Sequence, residues 1–103
     1  MRIYISGPIT NEPNYRRNFA EAQRILESLG YDDIVNPAEL CKVLNVEKYS
    51  YKDIMEVCKG LLRTCEVLVL LPGHERSHGC GVEEGIAEER DMHIMEFEDF
   101  VRR

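Results

Sequence analysis

Residues Val67-Leu68-Val69-Leu70-Leu71 form an unbroken apolar run that stops at Pro72-Gly73. A strand with one face in water alternates apolar and polar side chains. A run without alternation belongs to a strand covered on both faces, as in a parallel sheet layered between helices. It is also far too short to cross a bilayer. The segment before it, Tyr51 to Cys65, carries Tyr51, Ile54, Met55, Cys58, Leu61, Leu62 and Cys65 at helical spacing. The spacing predicts a helix with those residues, Tyr51 included, on its core face.

The rest of the chain repeats this alternation. Arg2 to Ser6 reads as a strand that ends at Gly7-Pro8. Tyr15, Phe19, Ala22, Ile25, Leu26 and Leu29 predict a helix, with Asn14 at its N-cap and Gly30 at its C-terminal cap. Ile34-Val35 is a short strand stopped by Asn36-Pro37, and Ala38 to Tyr49 is read as a helical turn plus loop. Pro72 to Gly81 is expected to be a polar loop, after which Val82, Ile86 and Ala87 open another helix. His93-Ile94-Met95 forms the last strand and Glu96 to Arg103 a short terminal helix. Strands and helices alternating at this spacing predict right-handed crossovers. The expected fold is one α/β domain over residues 1–103, a three-layer sandwich with a four-stranded, mainly parallel, flavodoxin- or Rossmann-like sheet. Ligands in such sheets bind beyond the carboxyl ends of the strands. Here those ends are Ser6-Gly7-Pro8-Ile9-Thr10, Asn36-Pro37 and Pro72 to Gly81.

Charge and cysteine usage narrow the partners. A formal net charge of −6 offers no footprint for a nucleic-acid polymer or an anionic membrane, although a mononucleotide needs only a few local donors. Cys41, Cys58, Cys65 and Cys80 form no C-x-x-C pair, and the chain opens directly on a strand. Reduced thiols in a cytoplasmic protein without a leader are therefore expected, most of them small buried hydrophobes.

The stretch Ser77 to Gly85, S-H-G-C-G-V-E-E-G, carries the most chemistry. Gly79 and Gly81 are expected to bring backbone N–H groups close to a ligand just before a helix start, where an anion is favoured. Ser77 adds a hydroxyl. Glu83 is expected in the first helical turn, where a carboxylate is held ionised, as a glycosyl-transfer nucleophile must be. The plain alternative is a helix that begins with a Gly-rich turn.

The S-x-G-x-G-x-E-x-G pattern resembles the signature of nucleoside 2-deoxyribosyltransferases and the related 2′-deoxynucleoside 5′-phosphate N-hydrolases. The resemblance covers nearly the whole chain. It is nearest to a branch of small phage-associated and bacterial proteins without an assigned function, through Ile3 to Thr10, Asn36 to Leu40 and Leu71 to Gly79. That branch usually carries Trp where this chain has His74. The resemblance implies that Glu83 is the nucleophile, that Tyr4 orients it, and that Ser77 with the backbone at Gly79 holds a 5′-phosphate. It further implies that Ser6, Gly7, Pro8, Ile9, Asn36 and Gly81 cradle the substrate. The implied ligand is a nucleoside or nucleoside monophosphate, without a cofactor or metal. The implied assembly is a homodimer or larger homo-oligomer. Active relatives carry an Asp eight residues before the position of Glu66, and that place is Cys58 here. Asp53 lies on a different helix face.

Other constellations carry less. His74-Glu75-Arg76-Ser77-His78 matches H-E-x-x-H, but that motif needs a helix, and glycines flank this one on both sides. Arg16 and Arg17 stand beside the Gly7-Pro8 turn, where one could pair with a phosphate or simply be solvated. Glu84, Glu88, Glu89, Arg90 and Asp91 read as a solvated face. Tyr49 and Tyr51 could stack a base, although Tyr51 fits the core stripe.

Overall fold

The computed structural model describes residues 1–44 and 48–102. The part of the turn-plus-loop expectation that falls on residues 45–47 lies outside them. Four strands, β1 (Ile3–Ser6), β2 (Ile34–Val35), β3 (Val67–Leu70) and β4 (His93–Glu96), form one sheet in the order β2-β1-β3-β4. Every pairing is parallel, with Ile3 opposite Val67 and Val67 opposite His93. The helices are α1 (Tyr15–Ser28), α2 (Pro37–Val43), α3 (Tyr51–Leu62), α4 (His78–Glu89) and α5 (Phe97–Val101). Among the described residues no helix is long and apolar enough to cross a membrane.

The period-two alternation of the strands sorts the core into two layers. Ile3 and Ile5 of β1 and Val67 and Val69 of β3 pack with Phe19 and Leu26 of α1 and Phe100 of α5. Tyr4, Leu68 and Leu70 face the other way, against Cys58 and Leu62 of α3 and Ala87 of α4. All of β3 is buried, as its unbroken apolar run requires. The result is a three-layer α/β sandwich of the flavodoxin/Rossmann type.

Local signals set most boundaries. Gly30, at φ 98°, turns the chain away after α1. Asn14 stands at the N-cap of α1 but makes no side-chain capping bond. Asn36 caps α2 by accepting from the Ala38 N–H at 3.0 Å. Ser50 and Asp53 cap α3 reciprocally, which accounts for Asp53. That helix ends at Leu62, so Cys65 is buried beyond it.

Two expectations fail after β3. The segment from Pro72 is not a loop as far as Gly81: His74–Arg76 makes a 3₁₀ turn and α4 begins at His78, capped by the Ser77 hydroxyl. Tertiary packing of Cys80, Glu83 and Ala87 overrides the weak helix propensity of the glycines. The terminal helix is shorter than expected, because β4 takes Glu96.

The order β2-β1-β3-β4 reverses direction between β1 and β3. The chain leaves β1 toward α1 on one face and β3 toward α4 on the other, so a crevice opens there. Gly7 makes this approach possible. A Cβ at Gly7 would lie 2.9 Å from Leu71 Cδ1 and 3.1 Å from Leu71 Cβ. Leu71 is buried and cannot swing away. Gly7→Ala is expected to cost about 1–3 kcal/mol through overpacking, read as a lower urea midpoint with an unchanged slope. An unshifted midpoint would show that the crevice floor yields freely.

Candidate functional site

Tyr4 and Ser6 are two residues apart on β1 and share one face of the sheet. That face meets α4 at Glu83. The Tyr4 hydroxyl donates to Oε2 of Glu83 and the Ser6 hydroxyl donates to Oε1 at 2.8 Å. All three side chains are buried, and Glu83 is 7% exposed. It is the only buried carboxyl among the described residues. A buried carboxylate is tolerated only where its oxygens are satisfied, and no buried side-chain N or O among the described residues lacks a partner.

Burial pushes the Glu83 carboxyl above its usual range, while the bonds from Tyr4 and Ser6 pull it back. Burial first, and the adjacent carboxyl second, hold the Tyr4 phenol far above its ordinary value, so it remains a donor. Burial pushes the Cys58 thiol up to about 11; a hydrogen bond with Tyr4 opposes this, and Glu83 adds to it. Cys58 is therefore a neutral thiol beside the Tyr4–Glu83 pair. Burial also raises Cys80, whose sulfur sits against the Ser6 and Ser77 hydroxyls, and Cys41 near Arg16.

Glu83 lies at the floor of a cleft of about 800 Å³, within the range of small-ligand sites. One wall is the β1–α1 turn, Gly7 to Glu12. A second is the face of α3 bearing Tyr51, Ile54, Met55 and Cys58, and a third runs from Arg76 to Cys80. Gly7, Pro8, Ile9, Ser77, Gly79 and Glu83 thus meet at one site, with Tyr4 and Ser6 beneath it.

Several expected roles are displaced. Asn36 does not line the cleft; it caps α2 and donates to Gln23 Oε1 at 2.9 Å. Gly81 is outside the lining as well. Gly79 and Gly81 lie within α4 rather than before it, and Glu83 stands in the second turn, not the first. Ser77 accepts from the Cys80 N–H at 3.3 Å. Tyr51 is not core: it is 57% exposed at the cleft mouth. His74 pairs with Glu96 at 2.8 Å and does not converge with His78. Among the described residues no group of His, Cys, Asp or Glu is arranged to hold a metal. Arg16 and Arg17 are exposed, and Arg16 lies over the Tyr15 ring.

The sequence pattern obscured the role of one contributor and the presence of another. Ser6 was assigned to the cradle, yet its place two residues after Tyr4 puts its hydroxyl on the carboxylate. Arg76 lines the cleft near Gly73 as a cation, masked in the sequence by the H-E-x-x-H match around it.

Fold and site together define a doubly wound parallel α/β protein with a hydrogen-bonded carboxyl buried at the strand-order reversal. The chain belongs to the DUF4406 family, a domain of unknown function, whose model matches residues 1–96. No curated protein and no solved structure matches the chain.

Proposed function

We propose that the protein acts on the N-glycosidic bond of a nucleoside or nucleoside monophosphate, by hydrolysis or deoxyribosyl transfer, with Glu83 as nucleophile. The carrying observation is the Glu83 carboxyl, fixed at the cleft floor by the Tyr4 and Ser6 hydroxyls. Hydroxyls that bind the charged form favour it and aim its lone pairs. A Glu83 oxygen bonds to the anomeric carbon as the carbon–nitrogen bond breaks, and the base leaves with the electron pair and takes up a proton. Water or a second base then attacks the same carbon and frees the carboxylate. Two displacements retain configuration, as in glycoside hydrolysis. Ser77 and Arg76 at the rim supply donors for a 5′-phosphate.

A second reading has its own support. Cys58, a neutral thiol, stands where the resembled enzymes carry an acid, so the same cleft suits a silent nucleotide or sugar-phosphate binder. The test is base release from a panel of nucleosides and their 5′-monophosphates, with mass spectrometry for a glycosyl adduct on Glu83. Released base with the adduct supports the enzyme. Saturable monophosphate binding without release supports the binder. A cytoplasmic homodimer or larger homo-oligomer belongs to the same proposal, and gel filtration with light scattering checks the assembly.

A further inference from the structure

The face of α3 that lines the cleft is graded by depth. Cys58, 4% exposed, lies at the level of Tyr4 and Glu83; Ile54 and Met55 are half-buried; Tyr51 is 57% exposed. Tyr51 precedes Cys58 by two helical turns, about 10 Å of axis. The capping box at Ser50 and Asp53 fixes the helix end from which it projects.

Tyr51 is also held in place from the other side of the cleft. Its hydroxyl rests against Gly79 of α4, where an added Cβ would lie 3.2 Å from it. Among the described residues no hydrogen bond engages that hydroxyl. Three Phe or Tyr rings line the cleft: Tyr15, Phe19 and Tyr51. Phe19 is 1% exposed. Tyr15 packs on the core and carries the Arg16 guanidinium 5.6 Å from its ring centre. Among the described Phe and Tyr residues of the lining, Tyr51 is the most exposed.

We infer that Tyr51 is the base-holding residue of the cleft, stacking on the heterocycle of a bound nucleotide. This rests on the proposed chemistry at Glu83. A nucleophile attacks the anomeric carbon on the face opposite the leaving group. With Glu83 at the floor, the leaving base lies toward the cleft mouth, where Tyr51 of the α3 wall is exposed. Tyr51 stands on that wall, two helical turns from Cys58, which lies beside Glu83. Stacking has little regard for base identity, since every base has a π-face. The grip from Tyr51 is therefore shared by purines and pyrimidines.

The experiment is calorimetric titration of the wild type, Tyr51→Phe and Tyr51→Ala with the four 2′-deoxynucleoside 5′-monophosphates and with 2-deoxyribose 5-phosphate, which has no base. Tyr51→Ala is expected to weaken every nucleotide about tenfold, the scale of one lost stacking contact. The base-free sugar phosphate should stay within about twofold, and Tyr51→Phe, which keeps the ring, should bind like the wild type. Nucleotide affinities that survive Tyr51→Ala would overturn the inference while leaving the glycosidic reading intact. Equal losses for nucleotide and sugar phosphate would overturn it too, moving Tyr51 to the sugar end. A wild type that binds none of the five ligands would end both.

Discussion

Glu83→Gln is expected to abolish base release and, at neutral pH, to make the protein more stable. The amide is nearly isosteric. Its oxygen can accept from one hydroxyl and its NH₂ can donate to the other once that hydroxyl turns, so the Tyr4 and Ser6 bonds have replacements. The ionised oxygen that the proposed chemistry uses as nucleophile does not, and removing a covalent nucleophile can cost about 10⁶-fold in rate.

Stability should move the other way. Burial holds the Glu83 carboxyl above its ordinary value of 4.5. The folded state therefore binds this proton more tightly than the unfolded state does. The stability contributed by the protonated carboxyl is complete below the unfolded value and is lost as pH rises through the folded one. Glutamine carries no such loss. The variant should match the wild type in pH dependence below 4.5 and pull ahead above the raised value. A gain of about 1 kcal/mol, usual where a functional group strains a fold, raises the melting temperature of a domain this size by about 4–8 °C. Calorimetric melts of both proteins from pH 4 to pH 8 check this. A difference that stays flat with pH would mean that the carboxylate is no burden to the fold.

The helix that carries Glu83 was legible in the sequence except at its start. Along α4 the buried positions Cys80, Glu83 and Ala87 follow helical spacing. Glycines on both sides of Cys80 gave the first turn the look of a loop. Local rules failed there because tertiary packing outweighed propensity. By contrast β3 was legible in full, since five apolar residues in a row leave few alternatives. The meeting of Tyr4 with Glu83 was readable only through the resemblance, because they lie 79 residues apart. The place of Ser6 followed from strand period but was missed in favour of a ligand role. Asn36 was misjudged for a related reason: a side chain before a proline-initiated helix serves that helix first. Tyr51 shows the limit of periodicity. The spacing correctly put it in line with Ile54, Met55 and Cys58, but it could not say that this face borders a cleft at its outer end.

Cys58→Asp is expected to raise base release by about 10²-fold, the lower end of what a positioned general acid contributes. The thiol now at this place is pushed up to about 11, so at neutral pH it is protonated and a weak donor. A carboxyl of similar size would stand in the same buried niche, beside the Tyr4 hydroxyl and the Glu83 carboxylate. Burial and the like charge of Glu83 would both keep it protonated. Two neighbouring carboxyls sharing one proton supply the division of labour the reaction needs, an ionised nucleophile and a neutral acid. The cost falls on folding. A group held protonated contributes stability at acid pH that is lost as pH rises, so the variant should be weakest in alkaline buffer. Base release measured from pH 5 to pH 8 should therefore fall on the alkaline side as the new acid ionises. Cys58→Asn, similar in size but unable to give up a proton, separates acid catalysis from polarity alone. A gain confined to the aspartate variant would identify the thiol as what restrains the wild type. The same gain with asparagine would sink the acid role and leave Cys58 as a packing residue.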